Sequence, residues 1–401
     1  MISSNEAQDI VMSNTVDWGV EEVEVSDCVG RVLREGVVAD RDFPPYNRVT
    51  MDGIAIKHSD FESGIREYKI THLQTAGARQ HGLKGTGNAH EIMTGAVLSD
   101  GADIIVRYED LTIEYNGEER LAKVNNEGIP QWKNVHKKGS DKRKGDLLIS
   151  SGKKLMSSDV AVLATVGCEK VKVSRLPKVA IISTGDELVE VGKEPQNHQI
   201  RMSNSIMIQA KLNDLGVANE RFHLMDDFDL LKEKIERIIE EFDVILMSGG
   251  VSKGKADYVP EVLDQLGVQK LFHKVAQRPG KPFWFGKFGE EKCVFALPGN
   301  PVSTFMCFVV YFLPWLHKSL RCIENSDHFA ILNENVSFKP ALTYFMQVHC
   351  KSDVDGKNLA EVKQGGGSGD LSNLVQSNGF LEMPPKKGSF EKEEAFRIYL
   401  Y

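Results

Sequence analysis

The sequence is poor in the features of secreted, membrane-spanning and nucleic-acid-binding proteins. Its six cysteines among 401 residues are scattered, with no Cys-x-x-Cys pair and no Cys/His spacing of a zinc site, which indicates reduced thiols rather than disulfides. The longest apolar run, 305–316, is shorter than the roughly 20 residues that cross a bilayer, and it contains Pro314. This run therefore favours a buried or interface helix.

Positive charge is also scarce, because 49 Lys and Arg face 57 Asp and Glu and the formal net charge is −8. General nucleic-acid binding relies on clustered basic residues, so we expect no nucleic-acid partner, and a local basic patch must bind any anionic ligand. Residues 1–20 lack the apolar core of a signal peptide. Together with the reduced thiols, this predicts a cytoplasmic protein without membrane contact.

The pattern of apolar residues changes along the chain. The length of 401 residues, with 41% hydrophobic and 26% charged residues, suits roughly two to four globular domains. Residues 61–134 show short apolar alternations and an Asn116-Gly117 turn, which predict β-structure. After about residue 326 the pattern is again that of strands, with an Asp355-Gly356 turn.

Between these zones, residues 176–319 alternate strands and helices. Residues 179–182 and 244–247 form near-continuous apolar strands, and an amphipathic helix pattern lies between them. Its apolar stripe consists of Leu231, Ile235, Ile238 and Phe242. Such strands indicate a mainly parallel sheet covered on both faces. We therefore expect an α/β multidomain fold: a central, mainly parallel three-layer α/β domain, β-rich amino-terminal domains and a small carboxyl-terminal β domain.

Parallel sheets bind ligands in the crevice outside the carboxyl ends of their strands, and the glycine-rich segment 248–258 follows the second strand there. Its backbone amides can hold phosphate oxygens where the next helix begins. The spacing also fits the first part of a P-loop, but Ala256 stands where Ser or Thr must bind Mg²⁺, which argues against a nucleotide triphosphatase. An ordinary glycine-rich turn is the alternative for this segment alone.

Fixed positive charge is concentrated in the segment 274–282. Its Pro-Gly turn presents Arg278 and Lys281 on one loop, with Lys274 on the strand before it. Charges in this arrangement suit an oxyanion.

A third segment, 297–303, ends a strand and begins a helix. Asn300 and Pro301 suit the N-cap and the first helical position. A simple cap explains the segment by itself, but its amides can also point into the same crevice.

Carboxylates form the opposing set. An oxyanion near acidic groups requires a bridging divalent cation, so the combination suggests Mg²⁺. Helix capping or a solvated turn explains each carboxylate equally well when it is taken alone. The candidates are Asp52, Asp141, Asp186, Glu187, Asp226 and Asp257. No nucleophile constellation accompanies them, because Gly-x-Ser-x-Gly is absent and no histidine has metalloprotease spacing.

Several segments in one order resemble the molybdopterin molybdenumtransferase family, the molybdenum insertases that include the carboxyl-terminal domain of gephyrin. The similarity covers essentially the whole chain. The matching segments are 45–53, 92–96, 139–141, 183–187, 248–258, 278–282 and 297–303.

The resemblance implies four domains in an elongated homodimer and a transferase of molybdenum cofactor biosynthesis. Adenylylated molybdopterin would bind over the strand ends, molybdate would enter beside it, and AMP would be released with the help of Mg²⁺. Molybdopterin adenylyltransferase and proteins that mature molybdoenzymes are the other implied partners. The implied domains are an amino-terminal linker or dimerisation domain of residues 1–60 and 135–175, an inserted β-rich domain of residues 61–134, an α/β molybdopterin-binding domain of residues 176–325 and a carboxyl-terminal β domain of residues 326–401.

The same resemblance assigns roles to the candidate residues. The catalytic set that would bind Mg²⁺, order water or steer the substrate is Asp257, Glu187, Asp186 and Asp226, with Asp257 and Glu187 as the Mg²⁺ ligands. The set implied to bind molybdate, phosphate or pyrophosphate is Ser248, Gly249, Gly250, Ser252, Lys274, Arg278, Lys281, Pro298, Asn300 and Pro301. The residues implied to close the cleft of the other subunit are Asp52, Thr94 and Asp141.

Two positions depart from the family pattern. Asn134-Val135-His136 stands where many relatives have an arginine in place of His136, so the charge there depends on pH, with Lys137 and Lys138 able to compensate. Arg278 stands where lysine is frequent, which preserves charge but changes geometry.

Two other functions stay open at this point. One is a nucleotide-phosphate hydrolase that uses the same glycine-rich loop, and the other is a non-catalytic dimeric scaffold. Turnover of ATP without pterin or molybdate would favour the first, and partner binding without affinity for molybdate or pterin nucleotide would favour the second.

Overall fold

The structure, a computed structural model, describes residues 1–251, 258–323, 327–385 and 388–401, and the chain divides into two units. The first unit comprises residues 1–35, 151–160 and 170–401, and the second comprises residues 36–150 and 161–169. No helix in the described ranges is long and apolar enough to cross a membrane.

Helices surround the sheets of both units. The α-helices are α1 (Ser4–Ser13), α2 (His58–Glu62), α3 (Ser157–Thr165), α4 (Asn204–Asp214), α5 (Phe228–Glu241), α6 (Val259–Gln265), α7 (Pro301–Cys307), α8 (Leu313–Ser319) and α9 (Ser372–Val375). Short 3₁₀ helices lie at Val25–Asp27 and Tyr108–Asp110, and a π-helical segment, Phe308–Phe312, joins α7 to α8.

Strands are distributed over the whole chain. In the amino-terminal part they are β1 (Val20–Glu24), β2 (Val37–Val38), β3 (Arg48–Val49), β4 (Gly53–Ile56), β5 (Glu67–Gln74), β6 (Asn88–Ile92), β7 (Ile104–Arg107), β8 (Leu111–Asn116), β9 (Glu119–Val124), β10 (Val135–His136), β11 (Leu147–Ile149) and β12 (Lys170–Ser174). In the central part they are β13 (Val179–Thr184), β14 (Leu188–Val189), β15 (Ile200–Arg201), β16 (Asn219–Leu224), β17 (Val244–Ser248), β18 (Gln269–His273), β19 (Gln277–Arg278), β20 (Trp284–Phe288) and β21 (Lys292–Leu297). In the carboxyl-terminal part they are β22 (His328–Leu332), β23 (Val336–Phe338), β24 (Thr343–Ser352), β25 (Asn358–Val362), β26 (Gly379–Met383), β27 (Gly388–Phe390) and β28 (Ala395–Leu400).

The central six-stranded sheet of the first unit has the order β16-β13-β17-β21-β20-β18. The first four strands are parallel, and β20 and β18 extend the sheet antiparallel. All six residues of β13 are buried, as expected for a strand covered on both faces. The predicted fold class, with its mainly parallel central sheet, is therefore confirmed.

Helices cover both faces of this sheet because successive side chains of β13 alternate between them. Ala180 and Ile182 pack in the core that includes Leu231 and Ile235 of α5. Val179 and Ile181 pack in a second core with α4 and with the helical run from Pro301 to Ser319. The apolar run 305–316 is thus a buried helix, as predicted.

The carboxyl-terminal strands of the first unit form a small barrel. Strands β24, β25, β22, β28 and β26 pair in a closed ring, because β24 also pairs with β26, and the short β19 adds to β24 on the outside. Leu332, Val348 and Leu381 are fully buried inside. Closure leaves these strands without free edges and satisfies their backbone hydrogen bonds.

The second unit contains a six-stranded sheet with the order β7-β4-β6-β5-β9-β8. The predicted Asn116-Gly117 turn joins β8 to β9, and Asn116 pairs with Glu119. The sheet includes β4 at Gly53–Ile56, which precedes the start of the inserted domain predicted at residue 61. The four domain boundaries stay predictions.

Candidate active site

A cleft of about 450 Å³ lies where β13, β17 and β21 end, at the carboxyl edge of the central sheet. The turns that follow these three strands form most of its wall, and the turn at 280–282 completes it. We call it the first cleft. The predicted site residues that line it are Glu187, Asp226, Gly249, Gly250, Lys281, Pro298 and Asn300.

Two glycines shape the wall after β17. Gly249 has a φ of +103°, and a Cβ there would lie 2.8 Å from the carbonyl oxygen of Thr184. Gly250 has a φ of +66°, and its Cβ would lie 2.6 Å from Val259 Cγ2. Only glycine adopts this backbone without strain and clash, so the turn keeps its amides close to the cleft.

The acidic residues of the first cleft are not equivalent. Glu187 is exposed and its carboxylate folds over Gly185, where a Cβ would come within 2.5 Å of Oε2. Asp186 instead accepts a hydrogen bond from the backbone N–H of Asp226 at 3.0 Å, which ties the loop after β16 to the loop after β13. Asp227 caps α5 by accepting from the Leu230 N–H. Glu187 and Asp226 therefore line the cleft, and Asp186 supports the loop of Asp226.

The acidic residues of the first cleft provide few ligands for a metal ion. Among the described residues, no group of three or more His, Cys, Asp or Glu is arranged to bind a metal ion. Mg²⁺, however, usually retains several waters and needs only one or two protein carboxylates beside substrate phosphates. Glu187 and Asp226, on two loops of one cleft, fit that requirement.

Lys281 supplies the positive charge of the first cleft. Its side chain is exposed, and no acidic group of the described ranges forms an ion pair with it. The preceding Gly280 packs so closely that a Cβ would lie 2.8 Å from Cys307 Sγ in α7. The turn is thus fixed against the buried helix and presents Lys281 at the sheet edge.

A second cleft of about 240 Å³ adjoins the first and shares Thr184, Glu187 and Gly249 with it. The predicted residues Ser248 and Pro301 line it. Sequence reasoning missed Asn204, whose side-chain amide donates to Ser248 Oγ at 2.8 Å and to the Gly299 carbonyl at 2.7 Å. The signal was a polar Ser-Asn-Ser run at the start of a helix, since helix starts face this edge in a parallel sheet.

Arg278 does not join Lys281 in the first cleft. Because it belongs to β19, which pairs with β24 of the barrel, it lines a third cleft of about 360 Å³. Lys363 and the glycine run 365–367 line the same cleft. Ser368 lines both the first and the third cleft and accepts a hydrogen bond from Asn300 Nδ2 at 2.8 Å.

The remaining central predictions fall elsewhere. Lys274 lies one residue beyond β18 with a φ of +75°, and it lines none of the three clefts. Its backbone N–H donates to the Phe283 carbonyl at 2.9 Å. Ser252, Ala256 and Asp257 lie outside the described residues.

The second unit contains the other predicted residues. Asp52 Oδ1 accepts from the Thr94 backbone N–H at 2.6 Å, and this hydrogen bond lowers the pKa of Asp52. Asp141 Oδ1 lies 2.7 Å from His136 Nε2, and Arg48 Nη2 lies 3.0 Å from His136 Nδ1. Since arginine can only donate, neutral His136 accepts at Nδ1 and donates from Nε2, which lowers the pKa of Asp141.

Comparison with known protein families matches most of the chain to three consecutive regions. Residues 2–167 match the MoeA N-terminal region (domain I and II), residues 180–318 match a probable molybdopterin binding domain, and residues 330–401 match the MoeA C-terminal region (domain IV).

Individual proteins give the same picture. The chain is 37% identical over 403 residues to the molybdopterin molybdenumtransferase of Synechocystis sp., covering 100% of both chains. It is 30% identical to that of Staphylococcus epidermidis, covering 96% of this chain and 91% of the relative. Two crystal structures of the molybdopterin biosynthesis moeA protein from Pyrococcus horikoshii each superpose with a TM-score of 0.83, at 32% and 28% identity, and cover 100% of this chain and 99% and 100% of theirs.

Proposed function

The chain belongs to the molybdopterin molybdenumtransferase family, and on that premise we propose that it inserts molybdate into adenylylated molybdopterin with release of AMP. As a member it is an enzyme of molybdenum cofactor biosynthesis. The observation that carries the proposal is the first cleft, where glycine amides, an exposed lysine and two carboxylates meet at one sheet edge. This combination suits a phosphoanhydride with a divalent cation.

In the first cleft, the pyrophosphate lies against the turn of Gly249 and Gly250. The Gly249 N–H already donates to the Leu297 carbonyl at 3.4 Å, so the Gly250 N–H donates to the pyrophosphate oxygens, and Lys281 balances their charge. Glu187 and Asp226 would hold Mg²⁺, with Asp257 as a further ligand by family resemblance. A Mg²⁺ ion held there would supply neutralisation of the charge that develops on the phosphate oxygens as AMP leaves.

Molybdate binds in the third cleft. Arg278 and Lys363 provide positive charge for a doubly charged oxyanion, with Lys363 Nζ also 3.6 Å from Glu361 Oε2, and the run 365–367 provides backbone without side chains. Because Ser368 lines both clefts, the metal oxide lies beside the substrate in the first one.

The sulfur ligands of molybdenum come from the substrate. No cysteine lines any of the three clefts. Burial raises the pKa of Cys293 to about 12, so that thiol stays protonated at neutral pH. The dithiolene sulfurs of the pterin therefore receive the metal, and the protein orients the two reactants.

The assembly we propose is a homodimer in the cytoplasm, in which Asp52, Thr94 and Asp141 of one subunit close the cleft of the other. Molybdopterin adenylyltransferase would supply the substrate, and proteins that mature molybdoenzymes would receive the product. Analytical ultracentrifugation tests the dimer: a monomer at micromolar concentration that still releases AMP would contradict this arrangement.

The central proposal is tested by Glu187→Gln. It removes one negative charge without changing the side-chain shape, so molybdate-dependent AMP release should fall at least about 10-fold and should need more Mg²⁺. Glu190→Gln is the control, because Glu190 is exposed and lines none of the three clefts. An unchanged Mg²⁺ requirement in Glu187→Gln would overturn the metal assignment.

A further inference from the structure

Three histidine side chains of the second unit pack against one another. The ring centroid of His72 in β5 lies 4.0 Å from that of His81 and 5.2 Å from that of His90 in β6. The parallel register pairs His72 with His90, which places both rings on one face of the sheet. Within the described ranges, no three such side chains are arranged to bind a metal ion, so we consider the proton as the ligand of the cluster.

The cluster runs from the surface into the core. His81 is exposed, His72 is half-buried and His90 is only 4% exposed. His90 Nδ1 lies 2.8 Å from Ser99 Oγ. His81 Nδ1 lies 3.2 Å from Gln74 Oε1, and since Oε1 only accepts, His81 donates from Nδ1 and can take up a proton at Nε2.

Few opposing charges face the three rings. Among the described residues, none of the rings forms an ion pair. Glu91 follows His90 in β6, so its side chain points to the opposite face of the sheet, where it binds Arg120. The Asp100 N–H donates to the His81 carbonyl at 2.9 Å, which is a backbone contact. The charged residues of β5, β6 and the segments 75–87 and 93–100 are Glu67, Lys69, Arg79, Lys84, Glu91 and Asp100.

The buried member of the cluster favours its neutral form. Burial lowers the pKa of His90 below its ordinary value of 6.5, and charge on His72 and His81 lowers that pKa further. The unfolded segment therefore binds protons more readily than the folded one. The stability of the local structure is complete above the unfolded value of 6.5 and is lost as pH falls from there through the folded-state value.

The loop 75–82 carries the exposed member of the cluster and is tied to the sheet beside it. The buried Gln74 donates from Nε2 to the Arg79 carbonyl at 3.0 Å, and its Oε1 accepts from the His81 N–H at 3.3 Å. The Gln74 carbonyl accepts from the Met93 N–H at 3.1 Å. The loop is thus anchored next to the segment that contains Thr94.

We propose that His72, His81 and His90 form an acid-sensitive clamp, which holds the loop 75–82 on the sheet while the rings are neutral and releases it as they take up protons. Neighbouring charged rings repel each other, so the exposed His81 moves away with the loop. This regulation goes beyond the proposed function and does not depend on it. Under the proposed homodimer, in which Thr94 closes the cleft of the other subunit, release of the loop would also lower AMP release in acid.

Hydrogen exchange of the full-length chain, followed by mass spectrometry, measures release of the loop. Between about pH 7.5 and about pH 5.5, the protection of peptides from 75–82 should fall about 10-fold in the wild type after correction for the intrinsic pH dependence of exchange, because one unit of pKa shift changes an equilibrium tenfold.

His72→Gln removes the ring that contacts both of the others. The described contacts of this ring are those with His81 and His90, so folding should be spared. The acid-induced loss of protection should shrink to about 2-fold. His58→Gln is the matched control, since His58 is half-buried in the same unit and outside the cluster, and it should behave like the wild type.

NMR titration of the histidine rings tests the clamp in the wild type without a variant. His90 should gain its proton below pH 6.5, and its midpoint should rise in His72→Gln because one neighbouring charge is absent. The clamp is overturned if the wild-type loop keeps its protection in acid, if His72→Gln loses protection as much as the wild type, or if His90 titrates at or above pH 6.5.

Molybdate-dependent AMP release by the wild type is measured over the same pH range. When AMP is released near neutral pH and the exchange results are negative, the clamp alone fails. When the wild type releases no AMP at any pH, the proposed function fails, and hydrogen exchange still decides whether the clamp exists.

Discussion

The first cleft of the first unit and the loops of the second unit that contain Asp52, Thr94, His136 and Asp141, here called the loop cluster, both contain predicted carboxylates, but in different states. In the cleft, Glu187 and Lys281 have no ion-pair partner among the described residues. In the loop cluster, Asp52 is bound to the Thr94 N–H and Asp141 to His136. Charged groups without a described ion-pair partner can bind a ligand, whereas the hydrogen bonds of Asp52 and Asp141 already orient those carboxylates, so the same residue type serves binding in one place and positioning in the other.

The largest effect should come from removing the positive charge of Lys281, which is exposed in the first cleft. Lys281→Met should lower molybdate-dependent AMP release about 100-fold or more, because a charge aimed at phosphate oxygens is lost, with the free energy of unfolding within about 0.5 kcal/mol of wild type. Lys234→Met, on the exposed side of α5, is the control for charge alone. Wild-type activity in Lys281→Met would contradict a ligand-binding role of the charged residues in the first cleft.

The next effect concerns the backbone of the first cleft. Gly249→Ala adds a Cβ 2.8 Å from the Thr184 carbonyl at a φ of +103°, and should lower the free energy of unfolding by about 2–3 kcal/mol in urea titration. Gly289→Ala is matched, since Gly289 has a φ of +62° and no atom within 4 Å of its Cβ position, and should cost only about 1 kcal/mol. Equal losses would show that the cleft backbone is not closely packed.

The ion pair of the buried Glu91 with the half-buried Arg120, in the second unit, should affect stability rather than ligand binding. Glu91 is 8% exposed and accepts two hydrogen bonds from Arg120, each 2.7 Å, and one from Tyr108. Glu91→Gln should destabilise the fold by about 1–2 kcal/mol, because Arg120 loses its charged partner.

The pH dependence of this effect follows from the pKa of Glu91, which the hydrogen bonds from Arg120 lower from 4.5. A lowered folded-state pKa gives stability that is complete above the unfolded value of 4.5 and is lost as pH falls through the folded value. Thermal melts from pH 7 down to about pH 3 should therefore show the gap between wild type and Glu91→Gln closing. A gap independent of pH would contradict the charged pairing.

The smallest effect is expected at the exposed pair of the loop cluster. His136→Ala removes the hydrogen bond that orients Asp141, and under the proposed homodimer AMP release should fall about 2- to 5-fold with no change in melting temperature, because exposed ion pairs contribute little to stability. His136→Arg should restore activity by supplying another donor. If His136→Ala lowered AMP release as much as Lys281→Met, the loop cluster would contribute to activity as strongly as the first cleft, and the expected difference between the two regions would be wrong.

Much of the architecture followed from local pattern. The apolar strand at 179–182 and the helix stripe through Leu231 and Ile235 specify buried elements wherever they pack, since burial depends on side-chain period. The grouping of Glu187, Gly249 and Asn300 was also predictable, because residues that follow parallel strands meet at one sheet edge.

Other placements did not follow from pattern. Arg278 and Lys281 share one loop in the sequence, but Arg278 belongs to the two-residue strand β19. This strand pairs with β24 of the barrel, so Arg278 lines the third cleft. Lys274 was expected on a strand and lies just beyond one. Asn204 lies in a polar Ser-Asn-Ser run at a helix start, but its hydrogen bonds join it to groups 44 and 95 residues away, and the run does not specify them.

By itself the sequence determined the family, the mainly parallel sheet and which segments lie at its carboxyl edge, because local periodicity and motif order contain that information. Only the tertiary structure decided how the charges divide among three adjoining clefts. That division depends on contacts between residues far apart in the chain, such as the pairing of β19 with β24, and no local pattern specifies them.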